Sequence, residues 1–193
     1  AGKTFQDIAG HWAQKEIEFM ATAGYVTGVG DNAFAPELAV TRAEFAAILA
    51  RMAGLTANPG GAERFDDVPA DAWYRGAVGA AADVGLVNGM GENSFAPDES
   101  VTREQMAAMI VRFMARNGLN VTVSDADVAK LPAGFNDTAG VSSWARTAVA
   151  LLAREQLMLG RENGRFVPLG HTTRAEATVV LCRVLQKLPQ SGE

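Results

Sequence analysis

Three tryptophans, Trp12, Trp73 and Trp144, serve as origins for three copies of one unit. Counted from its tryptophan, each copy has a glycine at plus 16 (Gly28, Gly89, Gly160), a phenylalanine at plus 22 (Phe34, Phe95, Phe166) and a proline at plus 24 (Pro36, Pro97, Pro168). A Thr-Arg pair begins at plus 29, as Thr41-Arg42, Thr102-Arg103 and Thr173-Arg174. The openings match as well: FQDIAGHW from Phe5, FDDVPADAW from Phe65 and FNDTAGVSSW from Phe135. Four spacings held through three copies do not arise by chance, so the chain folds as repeats of one supersecondary unit.

The second interval between tryptophans exceeds the first by ten. The extra residues fall in 118–134, where Asn, Ser, Asp, Pro and Gly predict a surface linker. The shorter connection, 56–64, contains Asn58-Pro59-Gly60-Gly61 and predicts the same. The copies are assigned to 4–55, 64–118 and 134–188, with 189–193 a frayed tail.

Each copy reads as helix, loop, helix, which makes the fold class all-α. Counted from its Thr, the second helix carries apolar residues at plus 4, 7, 8 and 11: Phe45, Ile48, Leu49, Met52; Met106, Met109, Ile110, Phe113; Ala177, Val180, Leu181, Val184. That is the one-sided stripe of an amphipathic helix. A capping box marks its start at Thr41/Glu44, Thr102/Gln105 and Thr173/Glu176. The first helix is predicted from about the tryptophan to the next glycine, as over 12–23 before Gly24. Between the two lies a Gly-rich turn and a short extended piece, GVGDNAFAP, GMGENSFAP and, in the third copy, LGRENGRFVP. One copy cannot bury both stripes, so the three share a core. With no terminal caps of a different type, a closed pseudo-threefold arrangement fits better than an open solenoid.

Composition narrows the function. With 193 residues, 48% hydrophobic and 20% charged, the chain can bury a core. A net charge of −5 argues against binding dominated by nucleic-acid phosphates. Cys182 stands alone, so neither an internal disulfide nor a cysteine zinc cluster can form, and within a helix it reads as an inert thiol. Two histidines, His11 and His171, thin the supply of general bases and metal ligands, and no cofactor is implied. No apolar run approaches the roughly 20 residues of a membrane helix, so no membrane insertion is expected. No signal peptide is visible and the chain opens at Ala1 rather than Met, as in a processed or truncated protein. Nucleophile elbow, zinc helix, P-loop and dinucleotide fingerprint are all missing, and Gly28-Val29-Gly30 lacks a third glycine. Ser124-Asp125-Ala126-Asp127 is a fragment of a calcium loop. An enzyme is not expected.

The recurring polar residues are the candidates for binding. Thr41, Glu44, Thr102, Gln105, Thr173 and Glu176 suit helix capping. Arg42, Arg103 and Arg174 sit at the first helical position, where the dipole disfavours a cation by a few tenths of a kcal/mol. Simple exposure does not explain that choice. A guanidinium beside free helix N–H groups makes an anion pocket and can take a carboxylate bidentately. Trp12, Trp73 and Trp144 read first as buried anchors of the first helix, or else as rim aromatics packing on a sugar ring or acetyl methyl. Asp7, Asp67 and Asp137 can cap the segment before the first helix or accept from sugar hydroxyls. Gly28, Gly30, Gly89, Gly91, Gly160 and Gly164 permit turns at positive φ or let a ligand approach the backbone.

These residues resemble the bacterial S-layer homology (SLH) domain, as a tandem triplet. The opening Phe-x-Asp and Trp, the Gly-rich turn before Phe-x-Pro, and the motifs TRAE (41–44), TREQ (102–105) and TRAE (173–176) carry the resemblance over about residues 4–188. It implies a three-pronged spindle around a central three-helix bundle. It also implies noncovalent anchoring of an S-layer or surface protein to the cell wall, outside the cell. The ligand implied is secondary cell wall polysaccharide, often with a pyruvate ketal on a terminal N-acetylmannosamine, held in inter-prong grooves; some lineages bind modified peptidoglycan instead. Self-assembly would then belong to regions outside this chain. The motif arginine is implied to contact the ligand carboxylate, a role that carries to Arg42, Arg103 and Arg174. An interaction with an envelope protein is the alternative. Two departures, the uncharged Gln105 and the third turn with Gln156 in place of Gly24 and Gly85, predict that the grooves bind unequally.

Overall fold

The computed structural model describes residues 2–189, so positions 190–193 of the expected tail lie outside the described residues. The chain is helical. Among the described residues there is no strand, and extended pairing is confined to isolated bridges such as Gly30 with Ala33. The helices are α1 (Gln14–Thr22), α2 (Arg42–Met52), α3 (Arg75–Asp83), α4 (Arg103–Arg116), α5 (Asp125–Ala129), α6 (Leu131–Gly134), α7 (Arg146–Arg154) and α8 (Arg174–Lys187). Two compact units emerge, Ala1–Val101 with Thr173–Val179, and Thr102–Thr172 with Val180–Glu193. The division cuts across the repeats, because the first turn of α8 docks on the loop of the first copy.

All twelve stripe residues of the second helices are buried. In α2, however, Ala43, Ala46, Ala47 and Ala50 are buried as well, leaving Arg51 as its exposed residue. That helix is apolar nearly all round, the signature of an internal helix rather than a surface one. The first helices begin two residues later than the tryptophans suggest, at Gln14, Arg75 and Arg146. No side chain at the N-cap accepts a bond there. Instead the side chain of the first helical residue reaches back into the preceding turn: Gly10 N donates to Gln14 Oε1 (2.9 Å), Arg75 Nη1 donates to the Val68 carbonyl (2.6 Å) and Arg146 Nη1 to that of Thr138 (3.1 Å).

Neither connection is a plain surface linker. Residues Pro59–Ala62 form a 3-10 turn, with Gly61 and Ala62 buried against α3. The contact is between bare backbones: a Cβ on Gly79 would lie 1.9 Å from the Asn58 carbonyl oxygen, and one on Gly61 would lie 2.4 Å from that of Gly79. Gly79→Ala is therefore expected to destabilise the chain by about 1–3 kcal/mol through overpacking, despite alanine's better helix propensity, as read from urea unfolding. In the second unit, the later part of 118–134 folds into α5 and α6. Ser124 and Asp127 form a full capping box on α5, which corrects their reading as a calcium-loop fragment. Arg154 of α7 ties this segment down through Thr122 O (3.2 Å) and Asp127 Oδ2 (3.0 Å), and Leu131 is buried.

The departure at Gln156 leaves the backbone unchanged. Gly24, Gly85 and Gln156 have φ of 84°, 76° and 56°. In each case the next residue's N–H bonds back to the carbonyl five residues earlier in the helix, at 2.9, 2.9 and 2.8 Å. The third copy tolerates a left-handed glutamine where the other two use glycine.

Candidate functional site

The chemistry centres on the N-termini of α2, α4 and α8. The hydroxyls of Thr41, Thr102 and Thr173 accept from the N–H groups of Glu44 (3.1 Å), Gln105 (3.2 Å) and Glu176 (3.1 Å). The reciprocal half of the box is present at Gln105, whose Oε1 accepts from Thr102 N (3.0 Å). At the first copy the Glu44 carboxylate instead pairs with Arg174.

The first two N–H groups of each helix are occupied. Arg42 N and Ala43 N donate to the carbonyls of Glu99 (2.8 Å) and Pro97 (3.0 Å). Arg103 N and Glu104 N donate to those of Gly170 and Pro168 (both 2.9 Å), and Arg174 N and Ala175 N to Leu38 (2.8 Å) and Pro36 (2.9 Å). The expected anion pocket of free helix N–H groups is thus overturned. The loop after each Phe-x-Pro caps a helix of another copy, supplying the acceptors that helix ends require.

The arginines follow the same loops. Arg42, Arg103 and Arg174 are only 4%, 3% and 8% exposed. Nε donates to the carbonyls of Phe95 (2.8 Å), Phe166 (2.7 Å) and Phe34 (2.9 Å); Nη2 donates to those of Asn88 (2.8 Å), Leu159 (2.5 Å) and Thr27 (2.7 Å). Each guanidinium lies over the ring of that same phenylalanine, 4.6–4.8 Å from its centre. The phenylalanine in turn packs on the opening Phe of its own copy, Phe5, Phe65 or Phe135, with centroids 5.3–5.4 Å apart. An arginine at an electrostatically poor helix position is explained by this latch: buried carbonyls need a donor array, and the ring face favours a cation.

Asp7, Asp67 and Asp137 hold the latched loops in shape. Each carboxylate takes two successive backbone N–H groups at 2.8 Å: Phe34 and Ala35, Phe95 and Ala96, Phe166 and Val167. The second residue of each pair has φ of 55–57°, a left-handed conformation that alanine and valine adopt only under constraint. Burial alone would raise the Asp7 and Asp67 carboxyls, but the backbone donors outweigh it and hold both below the ordinary 3.8.

Gly28, Gly89 and Gly160 are required by space rather than by positive φ. A Cβ would meet the opening phenylalanine ring at 2.6, 3.0 and 2.7 Å. Gly30 does have positive φ (113°), and open space surrounds both Gly30 and Gly91. The tryptophans are 63%, 64% and 58% exposed, which overturns the buried-anchor reading and leaves their faces on the surface.

In the first unit these parts meet in a shallow surface pocket lined by Thr27, Phe34, Glu44, Arg51, Trp73 and Arg174, among others. The lining adds Arg51, which the Thr-Arg motif does not include. Arg51, Arg112 and Arg183 all stand at plus 39 from their tryptophans, so the spacing that exposes the repeat also marks them. Arg51 Nη1 reaches the Tyr25 carbonyl (3.3 Å), and Arg183 Nη1 makes the corresponding bond to Leu157 (3.2 Å). Among the described residues no group of three or more His, Cys, Asp or Glu side chains is placed to hold a metal ion, and no helix is long and apolar enough to cross a membrane.

Known proteins are similar to this chain in sequence. An amylopullulanase of Thermoanaerobacterium thermosulfurigenes is 35% identical over 185 residues, 96% of this chain and 10% of that protein. An exoglucanase XynX of Acetivibrio thermocellus is 33% identical over 184 residues, 95% of this chain and 16% of that protein. The surface-layer 125 kDa protein of Lysinibacillus sphaericus is 28% identical over 187 residues, 95% of this chain and 15% of that protein. The chain thus spans between a tenth and a sixth of the length of these relatives. The S-layer homology domain model matches residues 4–46, 64–107 and 134–178. The chain belongs to the S-layer homology domain family and carries three copies of it, a module of S-layer and cell-surface proteins.

Proposed function

We propose that this module anchors a larger surface protein to the bacterial cell wall by binding secondary cell wall polysaccharide, recognising an acidic terminal sugar such as pyruvylated N-acetylmannosamine. The pocket beside Trp73 is the observation that carries the reading. It offers an exposed indole face for a sugar ring or methyl, hydrogen-bonding groups at Thr27 and Glu44, and guanidinium charge from Arg174 and Arg51. Trp12 and Trp144, equally exposed in their copies, are the corresponding platforms. Arg42, Arg103 and Arg174 brace the groove walls by latching the loops, and Asp7, Asp67 and Asp137 act at one remove by setting the loops. With a net charge of −5 no long-range field draws in an anionic polymer, so recognition is local and shallow. Several weak sites on one polymer then add avidity. Relatives named as S-layer proteins and as polysaccharide-degrading enzymes, of which this chain matches a small share, support a portable anchor without catalysis of its own.

Cosedimentation with purified wall sacculi tests this. The chain is expected to pellet with intact walls and to stay soluble with walls stripped of polysaccharide. Trp73→Ala is expected to weaken pelleting about tenfold, the value of one lost stacking face at roughly 1–1.5 kcal/mol, with an unchanged circular-dichroism spectrum. Undiminished pelleting on stripped walls would transfer the role to peptidoglycan or to an envelope protein.

A further inference from the structure

Two arginines line the pocket beside Trp73, and the structure gives them different work. Arg174 is deeply buried, with Nε on the Phe34 carbonyl, Nη2 on that of Thr27, Nη1 on the Glu44 carboxylate, and its plane over the Phe34 ring. A carboxylate is held best by two parallel N–H donors along one guanidinium edge. Every edge of Arg174 already ends on at least one protein acceptor. The charge of Arg174 is also matched by that of Glu44 in the same wall.

Arg51 is the counterpart. It projects from the C-terminal turn of α2 as the exposed residue of an otherwise buried helix. Among the described residues it makes one hydrogen bond, the 3.3 Å contact to Tyr25 O, and no ion pair. Counting the charged lining residues, Arg174 and Glu44 cancel and Arg51 leaves the pocket with one net positive charge. Partial burial lowers the pKa of Arg51, and the group stays charged while losing some of its water shell. A cation that is partly desolvated and lacks a carboxylate partner is the group an incoming acid would meet first.

We propose that Arg51, rather than the motif arginine Arg174, takes the carboxylate of the bound sugar in this pocket and so sets its preference for acidic over neutral sugars. The inference rests on the glycan-binding reading above. Arg183, which makes the corresponding bond from α8, marks the same device in another copy. The motif arginines then build the groove, and the second arginine reads the charge of its occupant.

Calorimetric titration of the whole chain with two synthetic probes tests the division of labour. One probe is the methyl glycoside of N-acetylmannosamine carrying a 4,6-linked pyruvate ketal; the other is the same glycoside without the ketal. Wild type is expected to prefer the acidic probe, and Arg51→Met to lose about tenfold or more in affinity for it while binding the neutral probe as before. Arg51→Lys, which keeps the charge but not the planar fork, is expected to fall between them. Melting temperature should move little in both, since Arg51 makes a single long bond. Arg51→Met and Arg51→Lys binding the acidic probe within twofold of wild type would overturn this inference and leave the glycan reading standing. A wild type that binds neither probe would overturn both.

Discussion

Replacing Arg174 by methionine is expected to lower folding stability by about 3–5 kcal/mol, the usual result of removing one partner from a buried ion pair. The loss has named parts. The carbonyls of Phe34 and Thr27 each lose a donor, and a buried acceptor left unmade costs about 1–3 kcal/mol. Glu44, whose side chain keeps 23% of its accessible surface, loses its counter-charge but regains some water, which limits that share. Methionine retains the stem and can still lie on the Phe34 ring, so the packing loss is small. Urea unfolding gives the magnitude, and Glu44→Gln alone is expected to cost about 1 kcal/mol, because a neutral amide can still accept from the guanidinium. In the double variant the two effects should fall short of their sum, the mark of a direct contact. A loss under about 1 kcal/mol for Arg174→Met would mean that the guanidinium does not hold the loop, and its burial would need another cause. Motif-arginine variants are therefore expected to lose any wall binding by loosening the fold, whether or not the arginine itself touches the ligand.

The repeat, the helix-loop-helix order and the buried stripes are legible in the sequence, because spacing and periodicity are local properties. Helix capping by Thr41, Thr102 and Thr173 is legible for the same reason. What stays hidden is anything decided by a partner distant in sequence. Arg42 at a helix start looks misplaced until the Phe95 carbonyl, 53 residues away, is seen to accept its Nε. The paired donors that each aspartate grips are distant in sequence, the Phe34 N–H lying 27 residues on from Asp7. Tryptophan misleads because size suggests burial, whereas Trp73 stands in a turn before its helix and presents its face outward. The connection at 56–64 has the composition of a loop, yet its glycines serve close backbone contact with Gly79. Arg51, in contrast, is in plain view: its offset from the tryptophan is as regular as the others, and it escapes notice only because it sits inside a helix rather than in a motif.

Asp67→Ala is expected to destabilise the chain by about 3–4 kcal/mol and to remove part of its acid sensitivity. The carboxylate binds Phe95 N and Ala96 N at 2.8 Å and the Ser94 hydroxyl at 2.9 Å. Without it two adjacent N–H groups lose a charged acceptor, each worth about 1.5–3 kcal/mol, with water recovering a portion. Ala96 would also be freed from φ of 57°, a relaxation that pulls the loop away from the Arg42 latch at Phe95. The pH dependence follows from the direction of the shift. The folded Asp67 carboxyl lies below the ordinary 3.8, because its hydrogen bonds overcome the opposing effect of burial. As pH falls, the unfolded chain therefore takes up the proton first. The stabilisation is complete above the unfolded value and is lost as pH drops through the folded one. Asp7 shifts in the same direction, with Arg174 adding to its backbone donors. Melting temperatures from pH 6 to pH 2.5 should show a constant gap between wild type and Asp67→Ala down to about pH 4.5, then a narrowing gap below about 3.8. A gap that keeps its full width at pH 2.5 would show that the protonated side chain holds the loop equally well, and that the charge of the Asp67 carboxylate is incidental to its grip.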